Sequence, residues 1–220
     1  MSDKVKISEL FDSVPQLLCD LFKDKEYPWE ILPCIKGYIR QLMEDGLKGY
    51  TELMPQVYVG KNVQIADNVT IIPPAIIGDD TELRPGAYLR GNVIIGKGCV
   101  IGNSTEIKNA ILFDNVAAPH YNYIGDSIVG NHAHLGAGVI LSNLKSDKTN
   151  ITVKGEKTYP TYLRKMSAIV GDNAEIGCGC VLNPGTIVGK NTNIYPLTSV
   201  RGVIPEYSIA KSNEVIIKKQ

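Results

Sequence analysis

The stretch that decides the fold is "AIIGDDTELRPGAYLRGNVIIGKGCVIG", residues 75–102, in which a bulky aliphatic side chain recurs every six residues. The period extends to both sides of this stretch. Ten consecutive positions, six residues apart, carry a bulky apolar residue: Val59, Ile65, Ile71, Ile77, Leu83, Leu89, Ile95, Ile101, Ile107 and Phe113. The period shifts by four residues at Tyr123, runs on to Leu141, and returns from Val170 to Val200. A fixed period over this length is the signature of a stacked structural repeat.

Each six-residue unit predicts one short strand and one corner. Four residues after each bulky position the side chain is usually small or β-branched, as at Ala87, Cys99 and Ala133, which suits a narrow interior. Glycine often follows the bulky residue, as at Gly78 and Gly96, where a sharp corner favours a residue without a Cβ. Three units close a triangular coil of about 18 residues, and stacked coils pair as parallel strands about 4.8 Å apart. The sequence therefore predicts an all-β core, a left-handed parallel β-helix of hexapeptide repeats, with about seven coils.

Residues 1–50 follow a different spacing. In "SELFDSVPQLLCDLF" and "YPWEILPCIKGYIRQLMEDG" the apolar residues recur at helical intervals, with Ser8 and Ser13 as candidate N-caps and Gly46 as a stop. We expect this N-terminal helical segment to cover the open first edge of the coil. The β-helix domain then occupies residues 51–220.

Two pieces of the β-helix domain fall outside the repeat. The loop 143–166 carries six basic residues against Asp147 and Glu156. It is either a solvated excursion or, beside a binding site, a clamp for a phosphorylated ligand. The C-terminal tail 204–220 contains the alternating "EVIIKK", which is compatible with a final strand.

Composition excludes several classes of partner. The chain has 23 basic and 23 acidic residues and a formal net charge of zero, so no overall field attracts nucleic acid or an anionic membrane. Neither a signal peptide nor an apolar stretch of membrane-spanning length occurs, so the cytoplasm is the expected location. Five cysteines without a CxxC pair indicate reduced thiols rather than disulfides or a zinc site. Cys99 and Cys180 fall on small interior positions, whereas Cys178 is expected to face outward.

All three histidines of the chain lie in residues 117–142. His120 and Tyr123 are placed where the six-residue period breaks, and Asn143 lies about one coil further along the same face. We therefore expect the imidazole, the phenol and the amide to converge. An imidazole exchanges protons near neutral pH, which makes His120 a candidate for acid–base chemistry.

Two cations, Arg84 and Lys108, directly follow interior aliphatic residues, at corner positions that glycine usually occupies. Side chains at a corner point outward, so these cations are either ordinary surface charges or ligands for a phosphate. Their separation predicts that they fall on neighbouring faces. One binding site would then need them across an edge or from two subunits.

Four motifs resemble one known family. They are "ELRPGAYL" (82–89), "GNSTEIKNAIL" (102–112), "PHYNYIGDSIVGNHAHLGAG" (119–138) and "NPGTIVG" (183–189). They closely resemble the acetyltransferase domain of the bifunctional N-acetylglucosamine-1-phosphate uridylyltransferases and glucosamine-1-phosphate acetyltransferases, which are hexapeptide-repeat transferases. The loop "SNLKSDKTNITVKGEK" is more similar to archaeal-type relatives. The resemblance covers about residues 57–207.

The resemblance implies a homotrimeric, acetyl-CoA-dependent N-acetyltransferase that acts on glucosamine-1-phosphate or a related amino-sugar phosphate, in UDP-N-acetylglucosamine biosynthesis. It implies that His120 is the general base, with Tyr123 and Asn143 as further catalytic residues. The residues implied to bind the substrate are Arg84, Lys108, Tyr123, Lys148 and His134, and those implied to lie along coenzyme A are Ala137, Asn143 and Cys178. No metal is required for acetyl transfer.

The chain departs from the family pattern in three places. His134 stands where many relatives carry asparagine, and Leu144 where bacterial ones carry tyrosine. Residues 1–50 contain no glycine-rich loop of the type LAAGxGTRM. The chain is therefore not expected to make a nucleotide sugar by itself, and a separately encoded nucleotidyltransferase is a possible partner.

Other hypotheses remain open at this stage. A β-helix carbonic anhydrase would place zinc on three imidazoles between subunits, but the histidine spacing expected for it is missing. A trimeric β-helix without enzymatic activity would act as a scaffold or as a regulatory partner of a separate sugar-1-phosphate nucleotidyltransferase. A third alternative keeps acetyl transfer but uses another amino sugar, or a nucleotide-linked one, as acceptor.

Overall fold

The computed structural model describes residues 3–219, which form a left-handed parallel β-helix with a short helical segment before it. The helices are Ile7–Leu10, Cys19–Phe22 and Ile35–Glu44, with 3-10 turns at Gln16–Leu18, Pro28–Glu30 and Leu32–Cys34. The predicted fold class is confirmed.

The coil has three faces, each made of stacked parallel strands. The first face contains Val57–Val59, Ala75–Ile77, Val93–Ile95, Ala168–Val170, Thr186–Val188 and Val203–Ile204. The second face contains Gln64–Ile65, Glu82–Leu83, Val100–Asn103, Ala117–His120, His134–Leu135, Glu175–Ile176, Asn193–Ile194 and Ser208–Ala210. The third face contains Thr70–Ile72, Tyr88–Arg90, Ile140–Leu141, Val181–Leu182 and Ser199–Val200. Two longer strands, Glu106–Leu112 and Tyr123–Val129, begin on the third face and continue onto the first.

Those two long strands mark coils that are one residue shorter than the others. Ile77 pairs with Ile95, 18 residues on, but Ile95 pairs with Leu112, 17 residues on. Leu112 in turn pairs with Val129 at the same interval of 17. The predicted shift of four residues is therefore wrong, because one residue is lost at each of two successive corners between the third and first faces.

Phe113 is consequently not an interior residue of the coil. Leu112 takes the interior position, and Phe113 is fully buried on the outside of the first face. Its ring lies 4.8 Å from that of Phe11 and 5.6 Å from that of Phe22. An extra aromatic side chain outside the coil is thus stabilised by the helical segment.

The N-terminal segment covers the first face of the coil and not its first edge, so that expectation is wrong. A row of buried isoleucines projects outward from the first face and packs against the segment: Ile76, Ile94, Ile111, Ile128, Ile169 and Ile187. Burying this row stabilises the contact between the N-terminal segment and the first face, by roughly 25 cal/mol per Å² of apolar surface removed from water. The first edge is instead paired with Thr51–Met54, which runs antiparallel to Val57–Val59.

The carboxylate of Asp172 ties the N-terminal segment to the coil. It accepts hydrogen bonds from the backbone nitrogens of Asp12 and Asn131, both at 2.7 Å. The backbone nitrogen of Asp172 donates to the carbonyl of Leu10 at 3.1 Å. Lys190 adds an ion pair with Asp12.

The basic loop 143–166 is a packed hairpin and not a solvated excursion. Thr152–Lys154 and Thr158–Pro160 pair antiparallel, and Ile151 and Val153 are fully buried in the cluster that contains the N-terminal segment. At the tip, the carboxylate of Asp3 accepts bonds from the backbone nitrogens of Glu156 and Lys157 and from the hydroxyl of Tyr159.

The coil also extends further than the repeat indicated. The segment 204–220 begins inside the coil, because Val203–Ile204 and Ser208–Ala210 pair in parallel with strands of the preceding turn. Ile216–Lys218 then runs antiparallel to Ser208–Ala210, as the alternating pattern suggested. None of the helices in residues 3–219 combines the length and apolar character needed to cross a membrane.

The contact between Phe113 and Phe11 generates a stability prediction. We expect Phe113→Ala to lower the free energy of unfolding by about 3–5 kcal/mol, because a fully buried ring is lost. Chemical denaturation of the single variants Phe11→Ala and Phe113→Ala and of the double variant should give a coupling energy of about 0.5–1.5 kcal/mol. Exposed Tyr121→Ala serves as the control, and additive effects of the two phenylalanines would contradict the placement of Phe113.

Candidate functional site

The third face is bounded by two corners that carry most of the candidate residues. At the corner with the second face, His120, Ala137 and Cys178 lie on three successive coils. A ladder of backbone hydrogen bonds sets this alignment: Gly138 donates to the carbonyl of His120 at 3.0 Å, and Gly179 donates to that of Ala137 at 2.8 Å. We call this edge the histidine corner.

His120 is exposed at this corner, and its imidazole makes no hydrogen bond with any other residue in the range 3–219. Its backbone is held by Asn122, which is 2 % exposed. The Asn122 side chain accepts a hydrogen bond from the backbone nitrogen of His120 at 3.2 Å and donates one to the carbonyl of Gly136 at 2.7 Å. A buried, satisfied amide thus fixes the corner, while the imidazole is free to meet a ligand. Sequence reasoning did not select Asn122.

Arg84 lies on the same corner two coils earlier, since Leu83 pairs with Ile101 and Ile101 with Ala118. Its guanidinium is half-exposed and lies 3.1 Å from the carboxylate of Glu82.

His134 lies on the second face, not on the third. Its Nδ1 is 2.9 Å from the carboxylate of Glu175, with which it is paired in the sheet. His134, which the resemblance implies to bind the substrate, is therefore separated from Tyr123 by the histidine corner. Within residues 3–219 no three His, Cys, Asp or Glu side chains gather in a group that could hold a metal ion.

The opposite corner, between the third and first faces, is organised by the carboxylate of Asp126. Asp126 is only 5 % exposed. It accepts hydrogen bonds from the side chains of Lys108 at 3.2 Å, Asn109 at 2.9 Å and Asn143 at 2.6 Å. We call this edge the aspartate corner. A buried carboxylate with three donors holds those donors in fixed positions.

Tyr123 extends across the third face to the aspartate corner. Asn143 Nδ2, which also donates to Asp126, lies 3.2 Å from the Tyr123 hydroxyl. Gly125 makes room for this hydroxyl, because a Cβ added at Gly125 would lie 2.5 Å from it. Burial, then the charges of Asp126 and Glu106, raises the pKa of Tyr123, so the phenol stays neutral and able to donate a proton in a hydrogen bond.

The expected convergence is therefore correct for two side chains and wrong for the third. Tyr123 and Asn143 meet, whereas His120 lies on the other edge of the third face. His120 ends a strand of the second face, where it is paired with Asn103, whereas Asn143 lies above Asp126 because Ile124 pairs with Leu141 in the shortened coil.

Lys108 is also not the free outward cation that its corner position indicated. Its ammonium is ion-paired with the buried carboxylate of Asp126 at 3.2 Å. Arg84 and Lys108 occupy opposite edges of the third face. The two side chains do not form one phosphate site within a single chain.

A cleft of about 580 Å³ opens beside the aspartate corner. It is lined by Leu32, Pro33, Asn109, Asp126, Leu144, Lys148, Leu163, Arg164 and Lys165. Three separate parts of the chain meet there: the N-terminal segment, the coil and the basic loop. Of the predicted residues only Lys148 lines this cleft. The run "LRK" at 163–165 also lines it and belongs to the basic loop 143–166, for which a phosphate clamp was one of the two expectations.

Comparison with known proteins identifies the family. The family model for the GMPPB C-terminal domain matches residues 71–159. An uncharacterized acetyltransferase of Escherichia coli O6:K15:H31, YaiX, is 32% identical over 210 residues, covering 86% of this chain and 88% of that protein. The chain belongs to the hexapeptide-repeat acetyltransferases. The resemblance inferred from the four motifs is confirmed.

Other relatives are longer than this chain. The bifunctional protein GlmU of Methanococcus vannielii is 31% identical over 197 residues, which cover 88% of this chain and 48% of that protein. This acetyltransferase chain thus spans about half the length of the GlmU relatives it matches. Among solved structures, PerB from Caulobacter crescentus in complex with CoA and GDP-perosamine gives a TM-score of 0.44 at 17% identity, covering 73% of this chain and 58% of that one.

The hydrogen bonds at the aspartate corner predict the effect of removing Asp126. We expect Asp126→Ala to lower the free energy of unfolding by about 2–4 kcal/mol, because Lys108, Asn109 and Asn143 lose a shared buried acceptor. Asp147→Ala, which removes an exposed carboxylate paired with Lys145, should leave the free energy of unfolding nearly unchanged. Equal losses in urea denaturation would show that Asp126 does not organise this corner.

Proposed function

We propose that this chain transfers an acetyl group from acetyl-CoA to the amine of an amino-sugar phosphate, with glucosamine-1-phosphate as the first acceptor to test. The observation that carries the proposal is the exposed imidazole of His120, which has no hydrogen-bonding partner in residues 3–219 and heads a corner of small residues. The GlmU and YaiX relatives support the reaction class.

The chemistry needs a base close to the attacking nitrogen. The amine nitrogen attacks the thioester carbonyl, and its proton passes to the imidazole of His120. The carbon–sulfur bond of the tetrahedral intermediate then breaks. The imidazolium returns the proton to the leaving thiolate, so that free coenzyme A and an acetamido sugar are released.

Tyr123 and Asn143 are proposed to hold the acceptor or the acetyl group. Their side chains are already hydrogen-bonded to each other and, through Asn143, to Asp126, so little ordering is needed when a ligand binds. Arg84 and Lys108 are proposed as further substrate contacts from the two edges of the third face. His134 would contact the same substrate only from the second face of the coil.

Coenzyme A is proposed to lie along the histidine corner. The main chain at Ala137 is flanked by Gly136 and Gly138, and Cys178 is flanked by Gly177 and Gly179. This row of small residues leaves the corner open to an extended ligand beside His120. Asn143 is proposed to reach the acetyl end of that ligand from the opposite edge.

A homotrimer is proposed because the two edges of the third face are separated within one chain. His120 ends one strand and Tyr123 begins the next, after a bend at Tyr121, and the Tyr123 side chain extends from there to the aspartate corner. The first face is covered by the N-terminal segment, so the second and third faces are the sides left for subunit contact. Packing these sides around a threefold axis would bring the edge of one chain towards a neighbouring chain.

A second candidate function keeps the same β-helix without the chemistry. GlmU relatives align with this chain over 48–49% of their own length in the first two cases. A trimeric β-helix that serves as a scaffold or regulator for a separately encoded sugar-1-phosphate nucleotidyltransferase would give the same matches. Such a scaffold would have no acetyl-transfer activity, so a measurement of coenzyme A release distinguishes the two candidate functions.

We expect His120→Ala to lower the rate of coenzyme A release by about a hundredfold or more, since general base catalysis typically contributes that much. The release is followed with a thiol reagent, with acetyl-CoA and a panel of amino sugars that includes glucosamine-1-phosphate. His132→Ala is the matched control, because His132 is exposed at a different corner. An unchanged rate in His120→Ala would remove the base from the proposal, and no release by the wild type with any acceptor would favour the scaffold.

The proposed coenzyme path predicts the labelling of individual cysteines. Cys178 and Cys19 are exposed, whereas burial raises the pKa of Cys99 to about 12. We expect a thiol reagent to label Cys178 and Cys19 but not Cys99, because the thiolate is the reactive form. Acetyl-CoA, which carries no free thiol, should slow the labelling of Cys178 several-fold and leave Cys19 unaffected, as measured by peptide mass spectrometry. Equal labelling of Cys178 with and without the coenzyme would place the ligand elsewhere.

A further inference from the structure

We propose that Tyr121 and Leu197 close the two ends of a groove on the histidine corner and thereby set the length of the acyl-coenzyme A donor that the groove accepts. The groove is the part of the corner that lies over Gly138 and Gly179, between these two residues. This inference rests on the proposed function and deepens it, because it assigns donor specificity to two residues that the four motifs did not single out.

The histidine corner repeats one backbone conformation from coil to coil. The second residue of the corner has a positive φ in four successive coils: 52° at Tyr121, 71° at Gly138, 68° at Gly179 and 60° at Leu197. The ladder of backbone hydrogen bonds includes all four coils, since Leu197 donates to the carbonyl of Cys178 at 2.9 Å. This left-handed conformation favours glycine and disfavours a bulky side chain. The corner therefore carries two glycines with a large, conformationally disfavoured residue on either side of them.

The difference in side-chain size between these four residues forms the groove. A Cβ added at Gly138 would meet no other atom within 4 Å, so the floor of the groove is open there. The Leu197 side chain lies back over the other floor position, because its Cδ2 is 2.8 Å from a Cβ added at Gly179. Tyr121 is 65 % exposed and Leu197 is 85 % exposed, so both side chains project from the coil. The two walls are three coils apart, which corresponds to about 14 Å.

The two ends of the groove differ in their chemistry. His120 directly precedes Tyr121 at one end, where the proposed reaction needs the thioester. At the other end the ammonium of the exposed Lys211 lies 5.6 Å from the centre of the Tyr195 ring, and none of the ion pairs formed within residues 3–219 involves it. A base at one end and a cation at the other match a donor whose thioester and phosphates lie at opposite ends of an uncharged chain. The acyl group then meets Tyr121, and Leu197 contacts the chain that follows.

Folding alone does not account for a large residue at either wall. Glycine would relieve the left-handed backbone conformation, and both side chains lie mostly in water, so little packing would be lost. Residues that remain in a disfavoured conformation cluster at functional sites. Tyr207 offers a matched comparison, because it has a φ of 49° and is 49 % exposed but lies at the corner between the first and second faces.

The test is calorimetric titration of the full chain with acetyl-CoA and with butyryl-CoA. We expect the wild type to bind acetyl-CoA more tightly than butyryl-CoA, and Tyr121→Gly to reduce this preference about tenfold, because the space beyond the acetyl group opens. Leu197→Gly should weaken the binding of both donors about tenfold, because an apolar contact with their common chain is lost. Tyr207→Gly is the control and should bind both donors as the wild type does. All three variants should melt within a few degrees of the wild type, since each places glycine in the conformation it favours.

Four results would overturn the assignment: no binding of either donor by the wild type, no preference for acetyl-CoA in the wild type, an unchanged preference in Tyr121→Gly, or unchanged affinities in Leu197→Gly. Changes of equal size in Tyr207→Gly would also overturn it. Light scattering on every variant tests the remaining explanation. A smaller assembly in Tyr121→Gly or Leu197→Gly, but not in Tyr207→Gly, would assign these residues to a contact between subunits instead of a donor groove.

This outcome is independent of the activity test. If both wall variants bind the donors as the wild type does while coenzyme A release still depends on His120, the groove assignment fails and the acetyltransferase stands. If the wall variants change donor binding as expected while no acceptor is acetylated, the groove assignment stands and the reaction fails.

Discussion

The parallel pairing of each coil with the coil before it is the constraint on which the rest of this structure depends. Once a residue is paired, its partners 17 or 18 positions away lie on the same face of the coil, and their side chains point to the same side of that face. Two coils lose one residue at the corner between the third and first faces. That loss places Phe113 outside the coil and Asn143 above Asp126. A change of one residue in coil length thus determines both a core contact and the geometry of the candidate site.

The interior of the coil could be predicted from the sequence, and the outer surface of the first face could not. Alternating large and small side chains follow from a narrow triangular interior, which is a local requirement of every coil. The outward row that includes Ile94 and Ile111 does not affect the six-residue period, since it occupies the positions between interior residues. Only the doubling of aliphatic residues, as in "VII" at 93–95, signals a covered face.

The candidate site was predictable in its residue types but not in its arrangement. Tyr123 and Asn143 were expected together and do contact each other. The neutralisation of Lys108 by Asp126 was not predicted, because the two residues lie on successive coils and meet only through the pairing of Glu106–Leu112 with Tyr123–Val129. Charges in a sequence do not reveal their partners when those partners come from another coil. Arg164 and Lys165 belong to the basic loop that was expected to be either a solvated excursion or a phosphate clamp, but their place beside Asp126 was not predictable, since it is set by the backbone hydrogen bonds of residues 166 and 167.

The anchoring of the N-terminal segment also has a consequence for the order of folding. Asp12 is bonded to Asp172, 160 residues later, and Asp3 to the hairpin at Glu156 and Lys157. During synthesis these early residues leave the ribosome long before their partners exist, so the coil must assemble past Asp172 before the segment can dock. Contacts of such sequence separation slow folding, because a long loop must close before they form. Until then the isoleucine row of the first face is exposed to water, and exposed apolar surface of this kind on an incompletely synthesised chain is what chaperones bind.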